Sequence, residues 1–551
     1  MKLARSLAVL GTLILAQPIA AQDAAAPVAA DSAPKAPPKL IVVISVDQFS
    51  ADLFAEYRNH FTGGFTRLLT GAVFPAGYQS HAATETCPGH STILTGAHPS
   101  RTGIVANDWI DQGVGRKDKT VYCAEDETVP GSNSNQYTVS DKHLKVSTLG
   151  EWMKGANPAT RVYSIAGKDR AAVMMGGHKV DELWWWDGKA FVSYAGRAAP
   201  AAVTAANAAA AKEIATAQPA MALPAVCVPH ARAIALGAGK TVGDGRFARA
   251  AGDSRGFRAS PEFDRSVVSL ATKIALDAKL GQGKATDLLI IGASATDYVG
   301  HTYGTEGSEM CLQLMALDQT LGTLFAALDK TGVDYEVVLT ADHGGHDLPE
   351  RHRQHAMPME ARVLPDISAA LVGKAIGADL GLTGPVLVGS GVGDVWIDIN
   401  LTPEQKEQVL AEAVKRYSAL PQVAAVLTRA EIEATPIPHS PPESWTLAER
   451  ARASYVPERS GDFIVALKPR ITPIPDPTHG YVATHGSFWD YDRRVPMLFW
   501  RKGMVPFEQP LSVETVDIAP TLAATIGLAV PVEIDGRCLD LDAGEGDTCA
   551  Q

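Results

Sequence analysis

Hydrophobic positions along this chain fall into two alternating patterns. Five runs, Leu40 to Val46, Arg161 to Ile165, Leu288 to Ile291, Val337 to Thr340 and Val495 to Trp500, are short and almost continuously apolar. Runs of that kind predict strands of a parallel sheet covered on both faces. Met310, Leu314, Leu317, Leu321, Leu324 and Leu328 instead recur at helical spacing, with Gly332 just beyond as a stop signal. The alternation predicts an α/β fold, a doubly wound and mostly parallel sheet with helices on both faces. Two long segments interrupt it, near 178–258 and near 352–475, and are expected to cap the sheet as insertions. In the first, Trp184-Trp185-Trp186, the turn pair Asp187-Gly188 and Phe191 to Tyr194 predict a hairpin, with an aromatic platform for a leaving group as the alternative. The second carries a helix candidate, Pro403 to Tyr417.

The N-terminus changes the picture of where the protein works. Lys2 and Arg5 precede the apolar run Leu7 to Ala16, and Ile19-Ala20-Ala21 offers a small-residue cleavage site. This predicts a signal peptide over 1–21, and hence a protein of the periplasm or the medium. The Ala/Pro-rich residues 22–38 are expected to be a disordered leader. A catalytic domain over 39–540 and a tail over 541–551 complete the expected layout. The signal peptide's apolar run is too short to span a bilayer, so no membrane association is expected; the protein is expected to be a monomer. Once Lys2 and Arg5 are removed, 47 basic residues face 61 acidic ones, a net charge of −14. That balance argues against nucleic acid as a partner. Of the six cysteines, Cys538 and Cys549 are close enough to staple the tail, Cys123 with Cys227 is a second candidate pair, and Cys87 and Cys311 read as free thiols.

Candidate chemistry follows from where acidic and histidine residues fall relative to the strands. In open α/β sheets ligands bind beyond the carboxyl ends of the strands. Asp47 comes directly after Leu40 to Val46, and Asp342 and His343 follow Val337 to Thr340. Asp297 and His301 follow Leu288 to Ile291 in the spacing Asp-x-x-x-His, and His485 lies shortly before the strand at Val495. Mixed oxygen and nitrogen ligands suit zinc. Six of them divide into two sites, and two metals about 4 Å apart clamp an in-line displacement at phosphorus. A nucleophile is then required at the shared edge. Thr86, in Thr84-Glu85-Thr86-Cys87-Pro88-Gly89-His90-Ser91, fills that role if its hydroxyl is activated, with a helix expected to begin near Ser91.

Val46-Asp47, Thr86 to His90, Asp297 to His301, Ala341-Asp342-His343-Gly344 and Thr484-His485-Gly486, in this order, resemble the alkaline phosphatase superfamily. Val516-Asp517-Ile518-Ala519-Pro520-Thr521-Leu522 with Asp535-Gly536 is similar to that superfamily's closing segment. The resemblance implies one zinc on Asp297, His301 and His485, and a second on Asp47, Asp342, His343 and the Thr86 oxygen. It implies attack by Thr86, a phosphothreonine intermediate, and release of phosphate by water.

Within the superfamily, a sulfatase would need a modified Cys or Ser two residues before Pro88, where Thr86 stands, and Arg where His90 stands. Phosphoglycerate mutases favour serine and manganese. The choice narrows to a monoesterase or a phosphodiesterase resembling the nucleotide pyrophosphatases. Two zincs and three carboxylates leave only about +1 at the site, so a monoester dianion needs further cations. Gly167-Lys168-Asp169-Arg170, directly after a strand, supplies two, and Asn107 adds a hydrogen-bond donor. Thr86, Asn107, Lys168 and Arg170 together resemble the atypical alkaline phosphatases with a threonine nucleophile, which implies phosphate monoesters as substrates and broad leaving-group tolerance. A non-catalytic binding protein on the same fold would have lost ligands, and none is lost. His346, His352 and His355 sit in a polar stretch that reads as a surface loop, and His479 competes with His485 as a ligand. His90 reads as a helix-start histidine satisfied by backbone, with a supporting place behind the ligands as the alternative.

Overall fold

A computed structural model describes residues 36–550 apart from 353–358, 532 and 545. The expected signal peptide and most of the expected leader lie outside the described residues, as does His355. The continuous apolar runs become strands: β1 (Leu40–Val46), β2 (Ala72–Tyr78), β3 (Val162–Ala166), β4 (Glu182–Trp186), β5 (Asp287–Ala293), β6 (Tyr335–Thr340) and β7 (Arg494–Arg501). They belong to a ten-stranded sheet whose central order is β2-β7-β6-β1-β5-β3-β4. The five strands from β6 to β4 are parallel. β7 departs from the expectation of a parallel strand, since it runs antiparallel to both β6 and β2. An apolar run reports burial on two faces, and a mixed sheet buries its strands as fully as a parallel one.

Alternation within β1 shows the two layers. Leu40, Val42 and Ile44 enter one hydrophobic cluster, and Ile41 and Val43 enter the other. The Ser308–Asp329 helix covers the first face with Met310, Leu314, Leu317, Leu321, Leu324 and Leu328. It is long and apolar enough to cross a membrane, yet these side chains are all buried inside the protein. Burying each Leu side chain contributes about 1.5–3 kcal/mol, which fixes the helix to the sheet.

The first expected insertion starts later than the sequence suggests. β4 pairs in parallel with β3, and its hairpin partner Phe191–Val192 also joins the main sheet. The Trp run is therefore a hairpin, but one that extends the main sheet. The second segment builds a four-stranded sheet of its own, with the Ala369–Leu380 and Pro403–Ser418 helices packed on it.

Three disulfides form: Cys87–Cys123, Cys227–Cys311 and Cys538–Cys549. Only the last was paired correctly by spacing. Cys311 lies on the buried face of its long helix, where the turn at 225–230 from the first insertion brings Cys227 against it. Cys87 meets Cys123 just past the Thr120–Tyr122 strand, so neither expected free thiol is free.

The closing segment docks on the stretch from Gly96 to His98. Asp535 and Gly536 both donate their N–H to the Gly96 carbonyl, at 2.8 and 3.0 Å, and Asp535 accepts from the His98 N–H at 2.8 Å. His98 Nε2 lies 3.1 Å from Glu514 Oε1. Burial opposes protonation of His98, but Glu514 and Asp535 together raise it above its ordinary value of 6.5. A raised folded-state value stabilises fully below 6.5 and is lost as pH rises through it. His98→Gln should therefore flatten the decline of thermal stability as pH rises above 6.5, as followed by unfolding scans at each pH.

Candidate active site

Register places the chemistry. Ile44 is level with Ile291 on β5 and Leu339 on β6, and the Asp47 N–H donates to the Ala293 carbonyl at 2.9 Å. Three strands thus end at one line, and Asp47, Asp297 and Asp342 leave it together. Asp297 and His301 lie one turn apart on the Ala295–Tyr303 helix, so their side chains share a face. His301 Nε2 stands 3.3 Å from Asp297 Oδ1, and His485 Nε2 stands 3.4 Å from the same oxygen. His479 is exposed at the surface, so His485 is the histidine the structure brings to the group.

Thr86 opens the Thr86–Ile93 helix, eight residues that are all buried. The expected start near Ser91 is corrected because Pro88 sits in the first turn, where its missing N–H has no intrahelical role. Gly89 is required for packing: a Cβ there would overlap the Asp342 carbonyl. The same close approach seats the Thr86 end of the helix against the strand ends.

The imidazoles are held alike. Nδ1 of His301, His343 and His485 lies 2.8 Å from the carbonyl of Ala483, Gly344 and Thr84 respectively. A carbonyl accepts only, so each Nδ1 carries the proton and each Nε2 presents a lone pair. Asp47 Oδ1, Asp297 Oδ1, Asp342 Oδ2, His343 Nε2 and His90 Nε2 are buried without hydrogen-bond partners. Buried polar atoms left bare are costly unless something else binds them. Two groups have ligand atoms close enough to hold an ion, Asp297 with His301 and His485, and Asp47 with His90 and Asp342. His343 borders both, 3.2 Å from Asp342 Oδ2 and stacked on His485 with ring centroids 3.6 Å apart. The donor set fits metal ions. Burial opposes it, but Asp342 raises the His343 imidazole to about 9, while burial and then His343 press His485 down to about 4. The carboxylate beside His343 favours positive charge there, whereas His485 is kept neutral with its Nε2 lone pair free.

His90 is the residue that sequence reasoning underrated. Its Nδ1 does meet its own helix, 2.8 Å from the Thr86 carbonyl, but it also lies 3.3 Å from Asp342 Oδ2, and Nε2 lies 3.3 Å from Asp47 Oδ1. The four-residue interval from Thr86 was the available signal, because it puts both on one helix face.

Lys168 reaches the centre of the site. Its ammonium stands 2.6 Å from Asp297 Oδ2, 3.0 Å from Asp47 Oδ2 and 3.4 Å from Thr86 Oγ1. Burial works against its charge, but Asp297 and Asp47 hold it protonated. Arg170 donates to the Tyr122 hydroxyl at 3.3 Å, and Tyr122 and Tyr137 both donate to Asp169, at 2.7 and 2.8 Å. Asn107 accepts the Cys87 N–H on Oδ1 at 2.8 Å, while its own N–H donates to Glu85 at 2.7 Å. That fixes the amide so that Nδ2 is its remaining donor. Lys168 and Arg170 line a cleft of about 570 Å³ together with Tyr137, Trp185, Trp186 and Tyr298. The Trp hairpin thus packs the sheet edge and also borders this cleft.

The profile of the type I phosphodiesterase / nucleotide pyrophosphatase family matches residues 41–488. The chain is similar to the alkaline phosphatase PhoK of a Sphingomonas species, at 58% identity over 520 residues and 93% of each chain. It is also similar to the alkaline phosphatase PhoD of Zymomonas mobilis subsp. mobilis, at 49% identity over 93% of this chain and 89% of that one. The crystal structure of wild-type alkaline phosphatase PafA superposes with a TM-score of 0.79 at 26% identity, over 91% of this chain and 98% of that one. Murine ectonucleotide pyrophosphatase / phosphodiesterase 5 superposes at 0.53 with 12% identity, covering 89% and 96%, and shows a shared fold alone.

Proposed function

The chain belongs to the type I phosphodiesterase / nucleotide pyrophosphatase family, and within it we propose that it is an alkaline phosphatase acting on phosphate monoesters. In this reading two zinc ions serve the reaction, one held by Asp297, His301 and His485, the other by Asp47, Asp342, His343 and the Thr86 oxygen. Zinc supplies Lewis-acid stabilisation of charge on the phosphoryl oxygens and lowers the pKa of the nucleophile. Thr86 Oγ attacks phosphorus, the ester oxygen leaves, and the phosphothreonine is then hydrolysed by water. Lys168, Arg170 and Asn107 hold the nonbridging oxygens, so that positioning and charge do most of the work. His90 holds Asp47 and Asp342 in orientation.

The observation that carries this reading is the Lys168 ammonium 3.4 Å from Thr86 Oγ1, with Arg170 two residues on in the same cleft. Fixed positive charge at the nucleophile suits the second negative charge of a monoester, which a diester lacks. The names of two relatives at 58% and 49% identity agree with it. Three disulfides suit an oxidising compartment, in line with export to the periplasm by residues 1–21. The rival within the family is a phosphodiesterase, favoured by the aromatic wall of the cleft. Lys168→Ala and Arg170→Ala should each lower monoester kcat/KM about tenfold or more beyond any loss on a diester. Steady-state kinetics on both substrate classes with one zinc-loaded preparation decides the matter, and equal losses would contradict the charge argument.

A further inference from the structure

A third cluster lies behind the active centre. Glu306, Asp347 and His352 have potential ligand atoms within reach of a common ion. The expected surface loop is corrected here, because His346 and His352 are only 6% and 7% exposed. The fold closes over them: Gly304, at φ +87°, turns the chain after the His301 helix and lays Thr305 and Glu306 on Asp347.

Asp347 is 1% exposed, and its two oxygens have different fates. Oδ1 accepts the Thr305 N–H at 2.8 Å, the Glu306 N–H at 3.3 Å and the Arg351 guanidinium. Oδ2 is buried with no hydrogen-bond partner. Asp347 lines a cavity of about 50 Å³ with Asp52, Glu56, Glu306 and Thr305. That volume holds an ion and a few waters, at about 10–15 Å³ for each. Ser50, which opens the helix carrying Asp52 and Glu56, also lines it.

The donor inventory selects the ion. His352 Nε2 lies 2.5 Å from Glu306 Oε1, and Nδ1 lies 2.5 Å from Glu360 Oε2. Both ring nitrogens face carboxylate oxygens, so the imidazole has no lone pair to give and serves to orient Glu306. The cavity's other donors are the oxygens of Asp52, Glu56, Thr305, Glu306 and Asp347 and one imidazole, His346, whose Nδ1 lies 3.8 Å from Asp492 Oδ1; so oxygen-rich a set suits calcium over zinc. Charge agrees. Asp52, Glu56, Glu306, Asp347 and Glu360 face Arg351, Arg470 and a doubly bonded His352, a surplus of about two negative charges that one divalent cation balances.

We propose that Glu56, Glu306 and Asp347 form a calcium site, separate from the catalytic metals, that braces the active centre. The site joins three segments, each of which carries a catalytic ligand upstream. Asp47 precedes the Ala51–Tyr57 helix that bears Glu56, His301 lies five residues before Glu306, and His343 lies four before Asp347. An ion there fixes the spacing of these segments from behind.

The test uses the full zinc-loaded protein, treated with a calcium-selective chelator and then titrated with calcium chloride, magnesium chloride or zinc chloride. Calorimetry and elemental analysis are expected to report one calcium per chain in addition to zinc, with magnesium at least tenfold weaker. Saturating calcium should raise the unfolding midpoint by about 3 °C or more. Glu56→Gln, on the partly exposed helix, should weaken calcium binding tenfold or more without changing zinc content, and Asp347→Asn should abolish it. Absence of calcium uptake at millimolar concentration, binding unchanged in Glu56→Gln, or tighter occupation by zinc would each overturn the assignment.

Discussion

Thr86→Ala is expected to lower monoester turnover by about 10³-fold or more while the metal content stays that of the parent protein. The expectation rests on the isolation of Thr86 Oγ1, which accepts a side-chain hydrogen bond from the Lys168 ammonium at 3.4 Å. The helix around it is held by other atoms: the Cys87 N–H to Asn107, the Gly89 contact with Asp342, and the Cys87–Cys123 bridge. Removing one hydroxyl and one methyl therefore leaves the scaffold standing, and the unfolding midpoint should move by no more than about 2 °C. Rapid-quench labelling should likewise show no phosphorylated enzyme in the variant. Retained turnover would take the nucleophile role away from Thr86.

The second large effect is on metals. A strong chelator should bring hydrolysis to background, and zinc should restore it while magnesium does not. Asp297→Asn should mimic the chelator, because Asp297 stands within 3.4 Å of His301, His485 and Lys168. Losing its charge removes a ligand and also strands the buried Lys168 ammonium without one of its two counter-charges. Elemental analysis should show zinc lost along with activity. Full zinc occupancy in an active Asp297→Asn protein would remove that carboxylate from the first group.

The features legible in sequence were those that local pattern encodes. Strand ends followed by Asp or His located Asp47, Asp297, His301, Asp342 and His343, since a buried parallel strand announces itself by continuous apolarity. Lys168 and Arg170 followed from the same rule. What stayed hidden depended on partners distant in sequence. Cys311 read as a helix-face thiol because Cys227 reaches it from 84 residues away. β7 read as parallel because burial does not record strand direction. His346 and His352 read as a surface loop because the groups that close on them, Thr472 and Asp492 on one and Glu306 and Glu360 on the other, come from elsewhere in the chain. His90 was undervalued because its helix starts five residues earlier than the Pro-Gly pair suggested.

The backbone tethers of the three imidazoles have a consequence for assembly. His301 is oriented by Ala483, two residues before His485, and His485 is oriented by Thr84, two residues before Thr86. Two of the three imidazoles are therefore aimed by a segment other than their own, whereas His343 is aimed by the adjacent Gly344. A half-built site has misdirected ligands as well as missing ones, so metal uptake should be cooperative in the degree of folding. Orientation of the Asp297, His301 and His485 group thus depends on the segments carrying Ala483 and Thr84 being in place, which ties this part of the centre to the closing of the whole sheet edge.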